Sequence, residues 1–329
     1  MVSGGHCRAG CYRRANLGCC AENKSVPSTA VHPAISAVVC THNRAELLRK
    51  ALRSVVEQTL RPAQYEIVVV NNASTDETDR VVHEARPGLG YARNTGHRAA
   101  RGEYVAYLDD DAQAAPDWLE QALRCFGEVG PTPVVVGGPI LPEYEGAKPG
   151  WFKDGYETRS WGSATRLLRD GESFSGSNMV WNKRVLREIG GFDTEVGVRG
   201  DRLGMGEETL TFWRLWRKCA ESSVYYSPTL IVHHWTPRSR MRLIYRLRRA
   251  FAGGQDGAIS LLREQDRPLR ALLVLRLLGS VGYWSCRAVV RRAAHRHWQN
   301  WAVEEWSLVA HRMGVLAGLL GIRLRTRRV

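Results

Sequence analysis

The sequence predicts an α/β protein in which a mostly parallel sheet is covered by helices. Three observations carry that expectation. Short apolar runs fit for buried strands (Ile35–Cys40, Glu66–Val70, Tyr104–Leu108 and Val134–Val136) alternate with segments of helical character. Polar clusters follow the ends of these runs, where ligands bind in such sheets. The 329 residues, 44% hydrophobic and 24% charged, suit one large domain with an appendage and exclude a fibrous or wholly disordered chain.

Residues 1–33 are polar and aperiodic and are expected to be a poorly ordered extension. Cys7, Cys11, Cys19 and Cys20 crowd it beside His6, but without the paired C-x₂-C knuckles of a zinc site. Ile35–Cys40 is the first strand and Thr41–Arg44 a turn, with Asn43 and Glu46 spaced as a capping box. Leu47, Leu48, Ala51, Leu52, Val55 and Val56 then recur at helical spacing. The second strand ends at Asn71-Asn72, and Ser74 with Glu77 is expected to cap a helix carrying Val81, Val82 and Ala85. Tyr104–Leu108 runs into Asp109-Asp110-Asp111, and Pro116 opens a helix to Phe126. Residues 137–175 are loop-rich; Trp151 and Trp161 there offer flat apolar faces to a ligand, although packing is the simpler role for a loop tryptophan. Ser175–Trp181 reads as a strand and Asn182–Ile189 as a short helix closed by Gly190-Gly191. Gly206-Glu207-Glu208 opens a helix, and Thr229–Trp235 is the last strand.

Beyond Pro237 the pattern is helical and arginine-studded, so a domain over 34–237 and a basic helical region over 238–329 are expected. That last region holds 19 Arg, no Lys and 5 acids, hence the whole net charge of +14, while residues 1–237 balance 28 bases against 28 acids. Such a tail suits a phosphate-rich partner, either nucleic acid or an anionic membrane. Ala271–Val290 approaches membrane-spanning length, but Arg276 and Arg287 interrupt it, and each arginine at mid-membrane costs roughly 2.5–3.5 kcal/mol. Helices that pack on the domain or lie on a membrane surface are therefore expected. Arg242, Arg246 and Arg249 would share a helix face toward that surface, the rival being that they pair with acids of the domain. No apolar stretch of signal type follows Met1, which points to the cytosol, with peripheral attachment to the inner membrane face.

Three adjacent carboxylates at a strand end repel one another unless a cation sits among them. Mg²⁺ or Mn²⁺ takes such ligands together with phosphate oxygens and would stabilise a departing diphosphate. On the triplet alone a solvated acidic turn is an equal reading; its place after Tyr104–Leu108 favours the metal. Ala37–Arg44, Val70–Asp76, Gly90–Gly96, Gly102–Asp111, Gly190–Asp193 and Gly206–Glu208, taken in order over residues 35–236, resemble the family 2 glycosyltransferases. The resemblance implies a GT-A (Rossmann-like) fold and an inverting transfer of sugar from a nucleotide-diphospho-sugar donor to a sugar, lipid-linked or other hydroxyl acceptor, in polysaccharide or glycoconjugate synthesis.

It further implies that Thr41 and Arg44 line the nucleotide pocket with Asn72 near the base or ribose; the family usually has aspartate at Asn72, so the base stays open. Arg93 would reach the diphosphate. Asp111 would bind the metal, while Asp109 and Asp110 assist or contact the ribose. Glu208, with Glu207 as the alternative, would be the general base, since the family commonly carries Glu-Asp at this pair. His233 or His234 would complete the metal shell, only one of them facing the site because a strand alternates its faces. Asn178 would hydrogen-bond the donor sugar or acceptor. Rival readings are a nucleotidyltransferase, for which a Gly-rich phosphate loop with lysine is missing after the first strand, a donor-binding protein that no longer turns over, and a nucleic-acid-binding protein, which leaves the acidic motifs unexplained.

Overall fold

The computed structural model describes residues 32–75, 82–198, 204–219, 223–264 and 270–322. The N-terminal cysteines lie outside the described residues. The chain from His32 onward forms one compact unit.

In chain order the elements are β1 (Ile35–Thr41), α1 (Ala45–Val56), β2 (Tyr65–Asn72), β3 (Val82–Glu84), α2 (Leu89–Ala99), β4 (Tyr104–Asp109), β5 (Ala112–Ala114), α3 (Trp118–Glu128), β6 (Val135–Gly137), β7 (Ile140–Tyr144), β8 (Arg166–Leu167), β9 (Met179–Asn182), α4 (Lys183–Glu188), α5 (Glu207–Lys218), β10 (Val224–Tyr226) and β11 (Val232–Thr236). Then come α6 (Leu243–Glu264), α7 (Arg270–Val290), α8 (Trp298–Trp301) and α9 (Ser307–Leu319). The main sheet runs β3-β2-β1-β4-β9-β6-β10-β8, and β5-β11-β7 form a second, small sheet. β1 pairs in parallel with both β2 and β4, whereas β9 is antiparallel to β4 and β6.

All of β1 is buried, as a strand covered on both faces must be. Its alternation sorts the core. Ala37 and Val39 face a layer with Val55 of α1 and Trp118 and Leu119 of α3; Val38 faces another with Ala92 of α2, Leu186 of α4 and Phe212 of α5.

Two sequence expectations change, and one helix was not anticipated. The segment around Val81–Ala85, expected as helix, contains β3, whose Glu84 aligns with Asn72 at the sheet edge; its start lies outside the described residues. Asn43 does not cap α1. It takes a left-handed φ of 53°, and its carboxamide accepts from the Thr75 N–H at 2.8 Å, tying the turn after β1 to the turn after β2. Helix α2 escaped the periodicity because it buries Arg93, Thr95 and His97 instead of an apolar stripe.

Beyond residue 237, α6 and α9 pack at backbone distance. A Cβ at Gly254 would sit 2.0 Å from the His311 carbonyl oxygen, and one at Gly314 2.0 Å from that of Phe251. A π turn over Ala302–Trp306 leads into α9, and Tyr156 donates from its hydroxyl to Glu304 in that turn at 2.8 Å, fastening the 150s loop to the helices.

Candidate active site

The carboxyl ends of β1, β2 and β4 open into a cleft of about 450 Å³, within the range of small-molecule sites. It brings together Thr41, Arg44, Asn72, Arg93, Asp109, Asp110, Asp111, Glu207, Glu208 and His234 from across the sequence.

Asp109 ends β4, and the next two aspartates lead into β5. Arg44 Nη1 bridges the two turn aspartates, 2.9 Å from Asp110 Oδ1 and 2.9 Å from Asp111 Oδ2. Asp110 accepts from the Thr41 hydroxyl at 2.9 Å and from Arg44 Nη1 at 2.9 Å. Burial pushes Asp110 up to about 6, with Arg44 opposing and Asp111 adding to the rise. Strand β11 pairs with β5 so that His234 lies opposite Ala112, and the Trp235 N–H donates to the Asp111 carbonyl at 2.7 Å. This register sets His234 Nε2 3.2 Å from Asp111 Oδ1. Burial alone would raise Asp111, but His234, Arg240 and Arg44 outweigh it and hold the carboxyl well below the usual range.

Ligand atoms of Asp109, Asp111 and His234 all lie within 4.8 Å of one another. Two carboxylates and an imidazole are a donor set that suits Mg²⁺ or Mn²⁺, so these residues fit a divalent cation. His233, the neighbour on β11, is exposed and outside this cluster, as the strand alternation requires.

Arg93 does not reach freely into the cleft. Its guanidinium, only 2% exposed, contacts Asp109 Oδ1 at 3.2 Å, Glu208 Oε1 at 3.0 Å and Glu207 Oε1 at 3.4 Å. It is the brace between the aspartate cluster and the first turn of α5, whose N-terminus favours acidic residues. The two glutamates differ. Glu208 is 20% exposed toward the cleft. Glu207 is buried, and burial, with Glu208 adding to it, pushes its carboxyl up to about 8, so it holds a proton at neutral pH. Gly176 closes the arrangement: a Cβ there would lie 1.9 Å from Arg93 Nη2 and 2.3 Å from Glu208 Oε1.

Two expected ligand contacts are already taken inside the protein. Asn72 lines the cleft, but its carboxamide donates to the carbonyls of Glu84 and Arg86 and accepts from the Gly88 N–H at 2.8 Å, shaping the turn after β3. Asn178 is fully buried and outside the cleft lining. It accepts from Trp118 Nε1 at 2.9 Å and donates to the carbonyls of Pro139 and Leu230, at 2.9 and 2.7 Å, so it ties β9 to the neighbouring loops. Trp151 packs edge-on to Phe152, and Trp161 lies under Arg166; neither lines the cleft.

The sequence reading missed the far wall. Arg240 donates to Asp111 Oδ2 at 3.2 Å and approaches His234 Nδ1 at 3.3 Å. Glu157, Arg159, Tyr245 and Arg249 line the same cleft. Arg240 stands six residues after His234, so the segment leaving the histidine strand carried a usable signal. The others depend on how α6 docks.

The family model for Glycosyl transferase family 2 matches residues 36–189. A glucosyl-dolichyl phosphate glucuronosyltransferase of Haloferax volcanii is 30% identical over 220 residues, covering 60% of this chain and 68% of that protein. The succinoglycan biosynthesis protein ExoM of Rhizobium meliloti is 26% identical over 317 residues, 91% of this chain and 96% of its own length. In fold, the chain matches the mannosyltransferase PcManGT of Pyrobaculum calidifontis, solved with GDP-Man and Mn²⁺, with a TM-score of 0.58 at 20% identity over 87% of each chain. With its cleft at the strand ends and the matched segments in order, this chain belongs to the family 2 glycosyltransferases and is an enzyme of polysaccharide or glycoconjugate synthesis on the GT-A fold.

Proposed function

We propose that the enzyme moves a sugar from a nucleotide-diphosphate donor to an acceptor hydroxyl in a single displacement with inversion. The observation that carries this is Arg93, which touches Asp109 on one side and Glu208 on the other. It puts an accessible carboxylate beside the carboxylate–imidazole cluster, as a one-base displacement needs. The acceptor oxygen attacks the anomeric carbon while Glu208 takes its proton; the bond to the diphosphate breaks, and the nucleoside diphosphate leaves with the electron pair. Asp109, Asp111 and His234 would hold the divalent cation, whose chemistry is to neutralise charge on that leaving group. Arg93 keeps Glu208 aimed. Thr41 and Arg44 hold Asp110 in place beneath the nucleotide.

Calorimetry of UDP and GDP binding, in Mn²⁺ and in EDTA, is the test. At least about tenfold weaker binding in EDTA is expected, the loss of roughly 1.4 kcal/mol or more; equal affinity without metal overturns the reading.

We also propose that α7 lies on an anionic membrane, with the enzyme at its cytoplasmic face. Among the described residues, Leu272–Ala294 is the one helical stretch long and apolar enough, by length and composition, to cross a membrane. Leu272, Leu275, Leu278, Tyr283 and Val289 are exposed on it, and exposed Arg276, Arg291 and Arg292 accompany them, a mixture suited to an interface. The arginine stripe expected on α6 is not that surface: Arg246 and Arg249 turn inward to Glu157, the rival reading for those side chains. Flotation of the full chain with phosphatidylglycerol vesicles should be lost in L275D/L278D; retention of the variant at low salt contradicts the placement.

A further inference from the structure

The cleft has a second cluster of charge, away from the aspartates, in which cations outnumber anions. Glu157, 6% exposed, is the only carboxylate in it among the described residues. Three arginines surround it. Arg246 is fully engaged: it holds Glu157 Oε1, donates to the Tyr156 carbonyl at 2.6 Å, and lies over the rings of Phe152 and Tyr156. Arg249 reaches both Glu157 oxygens, each at 3.3 Å, through Nη1 alone. Arg159 has no carboxylate within salt-bridge distance among the described residues; its Nη1 donates only to the carbonyls of Thr158 at 2.9 Å and Tyr156 at 3.4 Å. The Nε and Nη2 groups of both Arg159 and Arg249 have no partner among the described residues, and both side chains line the cleft. Half-buried guanidiniums that outnumber the carboxylate between them are destabilising. Burial, with Arg249 adding to it, lowers Arg159 to about 10, the direction that an unmet counter-ion produces.

We propose that Arg159 and Arg249 form a subsite for a phosphate group carried by the acceptor. The inference rests on the transferase reading above and extends it to the acceptor's chemistry. Free N–H groups on two adjacent planar forks match the oxygens of a phosphate, and guanidinium–phosphate pairs are favoured when partly shielded from water. The position fits an acceptor and not the donor. The arginines that face the aspartate cluster, Arg44, Arg93 and Arg240, already hold its carboxylates, whereas Arg159 and Arg249 touch none of the three aspartates. The 150s loop that carries Arg159 is also fastened, through Tyr156 and Glu304, to the π turn, and Glu305 of that turn pairs with Arg287 of α7 at 3.5 Å. An acceptor phosphate here would thus be held by the part of the molecule that joins the cleft to the exposed apolar helix.

The test measures binding of glucose 1-phosphate in EDTA and of farnesyl phosphate in neutral phosphatidylcholine vesicles, with methyl glucoside and glucuronate as controls, to the full chain and to R159Q/R249Q. Binding of UDP and GDP with Mn²⁺ is measured in parallel. Wild type should bind at least one phosphate probe, and the double variant should bind it at least about tenfold more weakly, as expected for lost charge-assisted hydrogen bonds, while UDP or GDP affinity stays within about twofold. Binding of both phosphates assigns the subsite to phosphate itself, and of farnesyl phosphate alone to a lipid phosphate. If removing Glu157's partner unfolds the double variant, R159Q alone must show the loss, since Arg159 holds only loop carbonyls. Unchanged phosphate affinity in the variants, no binding of either phosphate by wild type, glucuronate binding as tightly as glucose 1-phosphate, or displacement of the phosphate probe by UDP or GDP overturns the subsite. Failure of wild type to bind any nucleoside diphosphate, with arginine-dependent phosphate binding intact, would instead sink the donor reading.

Discussion

Arginine has opposite surroundings at the two ends of the cleft. Beside the strand ends, Arg44, Arg93 and Arg240 each contact at least one carboxylate of the Asp109–Asp111 or Glu207–Glu208 groups. Beside α6, Arg246 and Arg249 share one glutamate, and Arg159 next to them pairs with none among the described residues. Saturated guanidiniums fix neighbouring side chains and lower the charge of an acidic site; unsaturated ones leave N–H groups for a ligand. The residue type alone therefore says little about role, and the count of counter-charges around it says much more.

The saturated end can be disturbed without changing any charge. Gly176→Ala places a methyl group against Arg93 and Glu208. Displacing the brace and the carboxylate by even about an ångström should lower kcat/KM on the order of 100-fold, with the Arg159–Arg249 end untouched. A variant with near wild-type turnover would show that the Arg93–Glu208 contact is dispensable. Thermal melting separates a local effect from loss of fold.

A smaller effect distinguishes the two glutamates. Glu207 holds its proton up to about pH 8, against an ordinary value of 4.5. Between those values the folded chain binds a proton that the unfolded chain has released, so stability is fully present below the lower value and falls as pH rises through the window. Urea midpoints of wild type should decline from pH 5 to pH 8 more steeply than those of Glu207→Gln. Parallel pH profiles for the two proteins would mean that Glu207 is ionised in the fold.

Much of this was legible beforehand, and for identifiable reasons. The strands β1, β2 and β4 are apolar runs with sharp polar ends, so the sheet and the aspartate cluster could be read directly. Strand alternation said that one of His233 and His234 would face the site, but not which; the pairing of β11 with β5 decides for His234. What failed was local reading at positions where tertiary contacts decide. Asn43 looks like a cap but bridges two turns, Asn72 lines the cleft yet commits its carboxamide to the turn after β3, and Asn178 is enclosed by groups from Trp118, Pro139 and Leu230. The arginines beyond residue 237 read as one basic surface, yet the packing of α6 turns Arg246 and Arg249 inward while α7 exposes leucines. Only the docking of that helix separates the two.

The account stands most directly on Glu208 as the group that takes the acceptor proton. The decisive measurement is steady-state turnover with a nucleotide-sugar donor, together with calorimetric UDP or GDP affinity in Mn²⁺, for wild type, Glu208→Gln and Glu207→Gln. The account predicts that Glu208→Gln lowers kcat by roughly 10²–10⁴-fold while nucleotide affinity is kept, and that Glu207→Gln, already protonated near neutrality, falls by less than about tenfold. Turnover that survives in Glu208→Gln and collapses in Glu207→Gln would contradict it and move the base to the buried position.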